Sequence, residues 1–148
     1  MTPFRFPLDK VLDWRRLLMR AEEEKLAVLQ SRLQQIRQRI SLLVSTQQKS
    51  EWSYRNLPSV AGSDLHSLPA FQARVNRQRT VLELEQKKCE TQIEAQRAQL
   101  LKARRDYRVL EKLKERRHRA WAYELDRELE NTAADAYFSK LIQSRSEE

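Results

Sequence analysis

Few side chains in this sequence could do chemistry on a substrate. His66 and His118 are its only histidines and Cys89 its only cysteine. Neither histidine has a Ser or Cys partner at a spacing known from nucleophilic catalysis. One cysteine forms no intramolecular disulfide, and one cysteine with two scattered histidines builds no metal cluster. Glu22, Glu23 and Glu24 are consecutive, so on a helix they point to different sides and form no paired carboxylate site. Cys89 falls on an apolar repeat and reads as a small buried residue. The residues therefore predict a protein that is not an enzyme and takes no cofactor.

The elements that would position these residues are equally restricted. Of 148 residues only one, Gly62, is glycine, and four are proline. Average domains carry roughly 7% glycine, so this chain makes almost no tight turns. P-loops, dinucleotide fingerprints and nucleophile elbows need clustered glycines and are excluded. With 40% hydrophobic and 34% charged residues, the chain is too polar for a globular core and suits long helices with one apolar stripe. No stretch approaches the roughly 20 apolar residues of a membrane span, and the N-terminus lacks the apolar core of a signal peptide. A cytoplasmic location is expected.

Glycine and proline divide the chain into a first helix over about 8–56, a turn over 57–69 and a second helix over about 70–143. In the first, Leu26, Leu29, Leu33, Ile36, Ile40 and Leu43 alternate by three and four residues, the heptad signature that demands a partner helix. In the second, Val75, Leu82, Cys89, Ala103 and Leu110 fall at one seam position and Ile93, Leu100, Tyr107 and Trp121 at the other. Gln72, Arg79, Gln86 and Gln96 interrupt that seam, and polar seam residues cost stability while fixing register. The expected fold is all-α: a single domain over residues 1–148, a long two-helix antiparallel coiled-coil hairpin whose second helix outlasts the first.

The net charge of +8 is unevenly spread. Residues 97–119 hold ten Lys or Arg against three acidic residues, whereas residues 120–148 hold three basic and seven acidic ones. Such a collar either docks on an acidic surface or is a solvated helix face with local pairs such as Glu115 with Arg119. No helix-turn-helix, basic-region or zinc-finger pattern accompanies it, so no specific nucleic-acid recognition is expected. Aromatic residues gather at the N-terminus (Phe4, Phe6, Trp14), near the C-terminus (Trp121, Tyr123, Tyr137, Phe138) and around the turn (Trp52, Tyr54, Phe71). In an antiparallel hairpin the first two groups are neighbours. The turn aromatics either pack the tip or form an exposed patch.

Two stretches carry a family resemblance. The opening Phe4-Arg5-Phe6-Pro7-Leu8-Asp9-Lys10-Val11-Leu12-Asp13-Trp14-Arg15-Arg16, with the Glu22–Glu24 run, resembles the start of the flagellar export protein FliJ family. Leu110-Glu111-Lys112-Leu113-Lys114-Glu115-Arg116-Arg117, followed by Glu124, Arg127, Glu130 and Asp135, is similar to its tail. The resemblance implies a central stalk like that of rotary ATPases, which binds and stimulates the hexameric flagellar export ATPase. It also implies links to the membrane-embedded export gate and to export chaperones, with peripheral association at the cytoplasmic face of the inner membrane. Tyr54 and Gln47 on the first helix, and Phe71, Val75, Gln78 and Leu82 on the second, match the family's gate-facing positions. Arg104, Arg105, Arg108, Arg116 and Arg117 are expected to face the ATPase, on charge density. The alternatives are the equivalent stalk of a virulence type III secretion system, or a basic coiled coil that binds nucleic acid or anionic membrane.

Overall fold

The heptad stripe of the first helix is where two helices meet. The computed structural model describes residues 2–59 and 62–146 and is all-α: α1 spans Asp9–Arg55 and α2 spans Gly62–Ser146. Both helices run through two compact units, one made of Met1–Met19 with Ala103–Glu148, the other of Arg20–Lys102.

In the Arg20–Lys102 unit, Ile36, Cys89 and Ile93 form a buried cluster, with Leu26, Leu29, Leu33 and Ile40 packed against it. Val75 and Leu100 are buried as well. Successive pairings run in opposite directions along the two helices. Gln96 donates to the Glu22 carbonyl oxygen (3.2 Å) and to the Glu22 carboxylate, the Cys89 thiol donates to the Leu29 carbonyl (3.4 Å), and Tyr54 and Ser67 share a hydroxyl hydrogen bond of 3.1 Å. The packing is therefore antiparallel. Arg37–Glu90 (3.2 Å) and Arg32–Glu85 (3.7 Å) bridge the helices beside the seam. Exposed pairs of this kind contribute little to stability; they favour this register over a slipped one.

Gln96 and Gln86 show how the polar seam positions are satisfied, Gln86 donating to Glu90 at 3.0 Å. These contacts act on two carboxylates. The Lys25 ammonium and then Gln96 hold the Glu22 carboxyl below its ordinary value of 4.5, and Gln86 and then Arg37 do the same for Glu90. A carboxyl lowered in the folded state stabilises the fold above its unfolded value and loses that contribution as pH falls through the folded value. The melting temperature is thus expected to fall with acidification from the ordinary carboxylate range downwards. Glu22→Gln and Glu90→Gln should flatten that acid limb in circular-dichroism melts. An unchanged acid limb in both variants would show that these contacts are not coupled to folding.

In the other unit, residues 2–8 precede α1 and lie against α2. Phe6 and Leu12 are buried, and Asp9 N–H bonds the Phe6 carbonyl (3.2 Å), starting the helix with an acidic first-turn residue that suits the helix dipole. Antiparallel pairings recur here: Arg15 with Asp106 (2.9 Å), Lys114 with Asp9 (2.7 Å), and the Trp121 indole N–H donating to the Thr2 carbonyl (3.2 Å).

The turn is shorter than the 57–69 expected from the sequence. α2 already begins at Gly62 and carries Pro69 inside it. A proline within a helix forfeits its own N–H bond and crowds the preceding turn, yet the chain here has packing on both sides of it. Ser67 bonds Tyr54, and Phe71 and Val75 are drawn into the interhelical seam. Gly62 has ordinary negative φ and open space where a Cβ would stand, so its conformational freedom is not used. At the end of α1, the Asn56 side-chain amide caps the Trp52 carbonyl (3.1 Å).

Candidate partner-binding surfaces

The collar cations separate by direction once α2 has a packed face. Asp106, Lys114 and Trp121 mark the face turned to α1 and the N-terminal segment. Lys114 is held by Asp9, and the Arg117 guanidinium lies 5.9 Å from the centre of the Phe6 ring, a cation–π contact. Arg104, Arg105, Arg108 and Arg116 are exposed, as is Arg117. Arg105, Arg108, Lys112 and Arg116 make no hydrogen bond or ion pair among the described residues, whereas Arg119 approaches Glu115 at 3.7 Å. The collar is thus a surface feature with two members, Lys114 and Arg117, committed to contacts with the N-terminal end of the chain.

Around Trp121 the N-terminal aromatics meet the second helix, as the antiparallel pairing implied. The Phe4 ring stands edge-on to His118 (5.1 Å) and tilted to Trp121 (5.9 Å), and His118 and Trp121 are 5.8 Å apart. His118 serves as an aromatic packing partner there. Trp14 does not join this group; it is 53% exposed with the Arg15 guanidinium 5.1 Å from its ring centre. Tyr137 and Phe138 contact each other at 6.2 Å and stay exposed. The fold-back of residues 2–8 was not visible in any periodicity; the aromatic Phe4-Arg5-Phe6 next to Pro7 was its only sequence signal.

Beyond Trp121, α2 changes character. Every residue from Asp126 to Gln143 is exposed, including Leu129, Tyr137 and Phe138. A long helix with large apolar groups and little packing depends on something else to cover it.

At the turn end, the gate-facing candidates divide. Gln47 is half-buried and donates to Glu51 (3.2 Å), Tyr54 is half-buried on Ser67, and Phe71 and Leu82 are half-buried in the seam. Gln78 is exposed. Val75 is 4% exposed and belongs to the core; the 4-3-4 spacing that singled it out is also the spacing of the seam. Trp52 is 70% exposed, so the turn aromatics are neither a fully packed tip nor a fully exposed patch. His66 has no described side chain. Among the described residues no three His, Cys, Asp or Glu side chains gather to hold a metal, and no helix is long and apolar enough to cross a membrane.

Comparison with known families adds one decisive match: the model of the Flagellar FliJ protein covers residues 4–145. The chain belongs to the FliJ family. No curated protein and no solved structure matches it significantly. Membership makes this FliJ-family chain a flagellar export component and associates it with the export apparatus. The match takes in both the folded-back aromatic segment and the exposed end of α2.

Proposed function

We propose that this FliJ-family chain is the coiled-coil stalk that binds and stimulates the hexameric flagellar export ATPase and links it to the export gate and export chaperones. The observation that carries the reading is the exposure of α2 from Asp126 to Gln143 on all sides, with Leu129, Tyr137 and Phe138 among the uncovered groups. A groove covers one face of a helix; the central opening of a ring covers all of them. The exposed cations Arg104, Arg105, Arg108 and Arg116 then meet acidic ring loops, with Arg117 bracing the Phe6 segment beneath them. At the turn end, Gln47, Tyr54, Phe71, Gln78 and Leu82 face the gate, and Val75 packs under them as support. The protein then sits at the inner membrane through these partners.

Purified chain is expected to associate with the flagellar export ATPase and raise its rate of ATP hydrolysis. An Arg104→Glu/Arg108→Glu variant should slow association by roughly tenfold or more at low salt, with a smaller effect on dissociation, because exposed charges act mainly on encounter. Failure of the wild-type chain either to bind or to stimulate the ATPase would overturn the stalk reading.

A further inference from the structure

Five collar cations share one direction. At about 100° per residue, Arg105, Arg108, Lys112, Arg116 and Arg119 fall within roughly 80° of arc, directly opposite the face that carries Lys114 and Trp121. All five are exposed. Tyr123, 70% exposed, lies in the same arc, and Val109, 66% exposed, lies about 20° beyond one edge of it. Between Arg105 and Tyr123 no acidic residue and no Ser, Thr, Asn or Gln lies in it. The stripe is about 27 Å long, at about 1.5 Å per residue. Asp106 and Glu111 are half-buried off the arc, Asp106 held by Arg15 and Glu111 accepting from Tyr107 (2.9 Å). Glu115, about 20° beyond the other edge, touches the stripe through Arg119 and is the one carboxylate that does so among the described residues.

We infer that this stripe, Arg105–Arg108–Lys112–Arg116–Arg119 with Val109 and Tyr123, is a docking surface for an anionic phospholipid bilayer. Its composition decides between polyanions. Cations interleaved with an aliphatic and an amphipathic aromatic side chain suit the interfacial zone, where the charges meet headgroup phosphates and Val109 and Tyr123 enter the headgroup boundary. A nucleic-acid backbone uses the cations and leaves Val109 in water. Acidic protein loops, as in the stalk reading, engage single cations and leave Val109 and Tyr123 uncovered; a fluid surface rearranges its phosphates around the whole stripe and covers both. Contact is reversible and electrostatic, since two small apolar insertions do not anchor a protein alone.

The inference goes beyond the stalk reading and is tested without the ATPase. Arg105, Arg108 and Arg116 are shared with the ATPase-facing set, whereas Lys112 and Arg119 are not, so the test uses those two. Full-length chain is mixed with vesicles of neutral phosphatidylcholine, or of phosphatidylcholine with roughly a third phosphatidylglycerol, and binding is read by flotation over a salt series. Wild type is expected to float with the anionic vesicles only, progressively less as salt rises. Each cation removed near an anionic surface weakens binding about fivefold, so Lys112→Glu/Arg119→Glu should bind at least about tenfold more weakly. Arg39→Glu, which removes an exposed cation from the other unit, should bind as wild type. Circular dichroism of each variant confirms the helical fold. The inference is overturned by equal binding of Lys112→Glu/Arg119→Glu and wild type, by equal flotation with neutral vesicles, or by no flotation at all. It is also overturned if duplex DNA or RNA competes the chain off the vesicles at equal phosphate concentration. Stimulation of the ATPase without vesicle binding would overturn the lipid contact and leave the stalk standing.

Discussion

Ile93→Ala is expected to destabilise the Arg20–Lys102 unit by about 2–5 kcal/mol, the range for truncating a buried isoleucine. Ile93 is 4% exposed and packs with Ile36 and Cys89, and Leu26, Leu29, Leu33 and Ile40 close around them. This is a core one layer deep, made by two helices with no third element to move into a gap. The loss is therefore the transfer energy of the removed methylene and methyl groups plus the part of the cavity that helix approach leaves unfilled. Neighbouring polar groups increase the sensitivity: Gln96, one turn away, is satisfied by the Glu22 carbonyl across the seam, and a local shift there would strand a half-buried amide. Val81→Ala is the control, because Val81 is 62% exposed in the same unit, and should change stability by less than about 0.5 kcal/mol. Denaturant unfolding followed by circular dichroism measures both. Equal destabilisation by the two substitutions would mean that the seam is not where the folding energy lies.

The same residues show how far the sequence could be read. The run from Leu26 to Leu43 was legible because a two-helix fold has only one apolar stripe, so periodicity and burial report the same thing. Its partner positions Val75, Cys89, Ile93 and Leu100 were legible for the same reason, and all four are buried. The start of α2 was not. Pro69 reads as a stop by local propensity, yet the Tyr54–Ser67 contact and the seam residues beyond it hold the helix through the proline. Charge counting located the collar but not its direction, which depends on interhelical register: Lys114 turns to Asp9 and Arg117 to Phe6, while Arg105, Arg108 and Arg116 turn outward. The aromatic groups were half legible. Antiparallel pairing brought Phe4 to Trp121, but Trp14 and the Tyr137–Phe138 pair stay exposed outside that group.

That uncovered end of α2 gives the largest functional effect. Leu129→Asp/Tyr137→Asp should leave the melting transition within about 0.5 kcal/mol of wild type, since both side chains are exposed and surface substitutions of this kind fall in that range. The same variant should lose stimulation of the export ATPase and flagellar export, read as ATP hydrolysis in vitro and as swimming in cells. The two residues lie eight apart on one side of the helix. In a covered site they act as apolar anchors, and two carboxylates there must be desolvated without partners, a cost of several kcal/mol that amounts to at least a hundredfold in affinity. Leu129→Met/Tyr137→Phe keeps the apolar volume and should retain most activity, which separates burial at the interface from any need for the tyrosine hydroxyl. Full stimulation by the aspartate variant would place the ATPase contact away from this end of α2, on the collar or the turn, and all-round exposure would then not mark a ring contact.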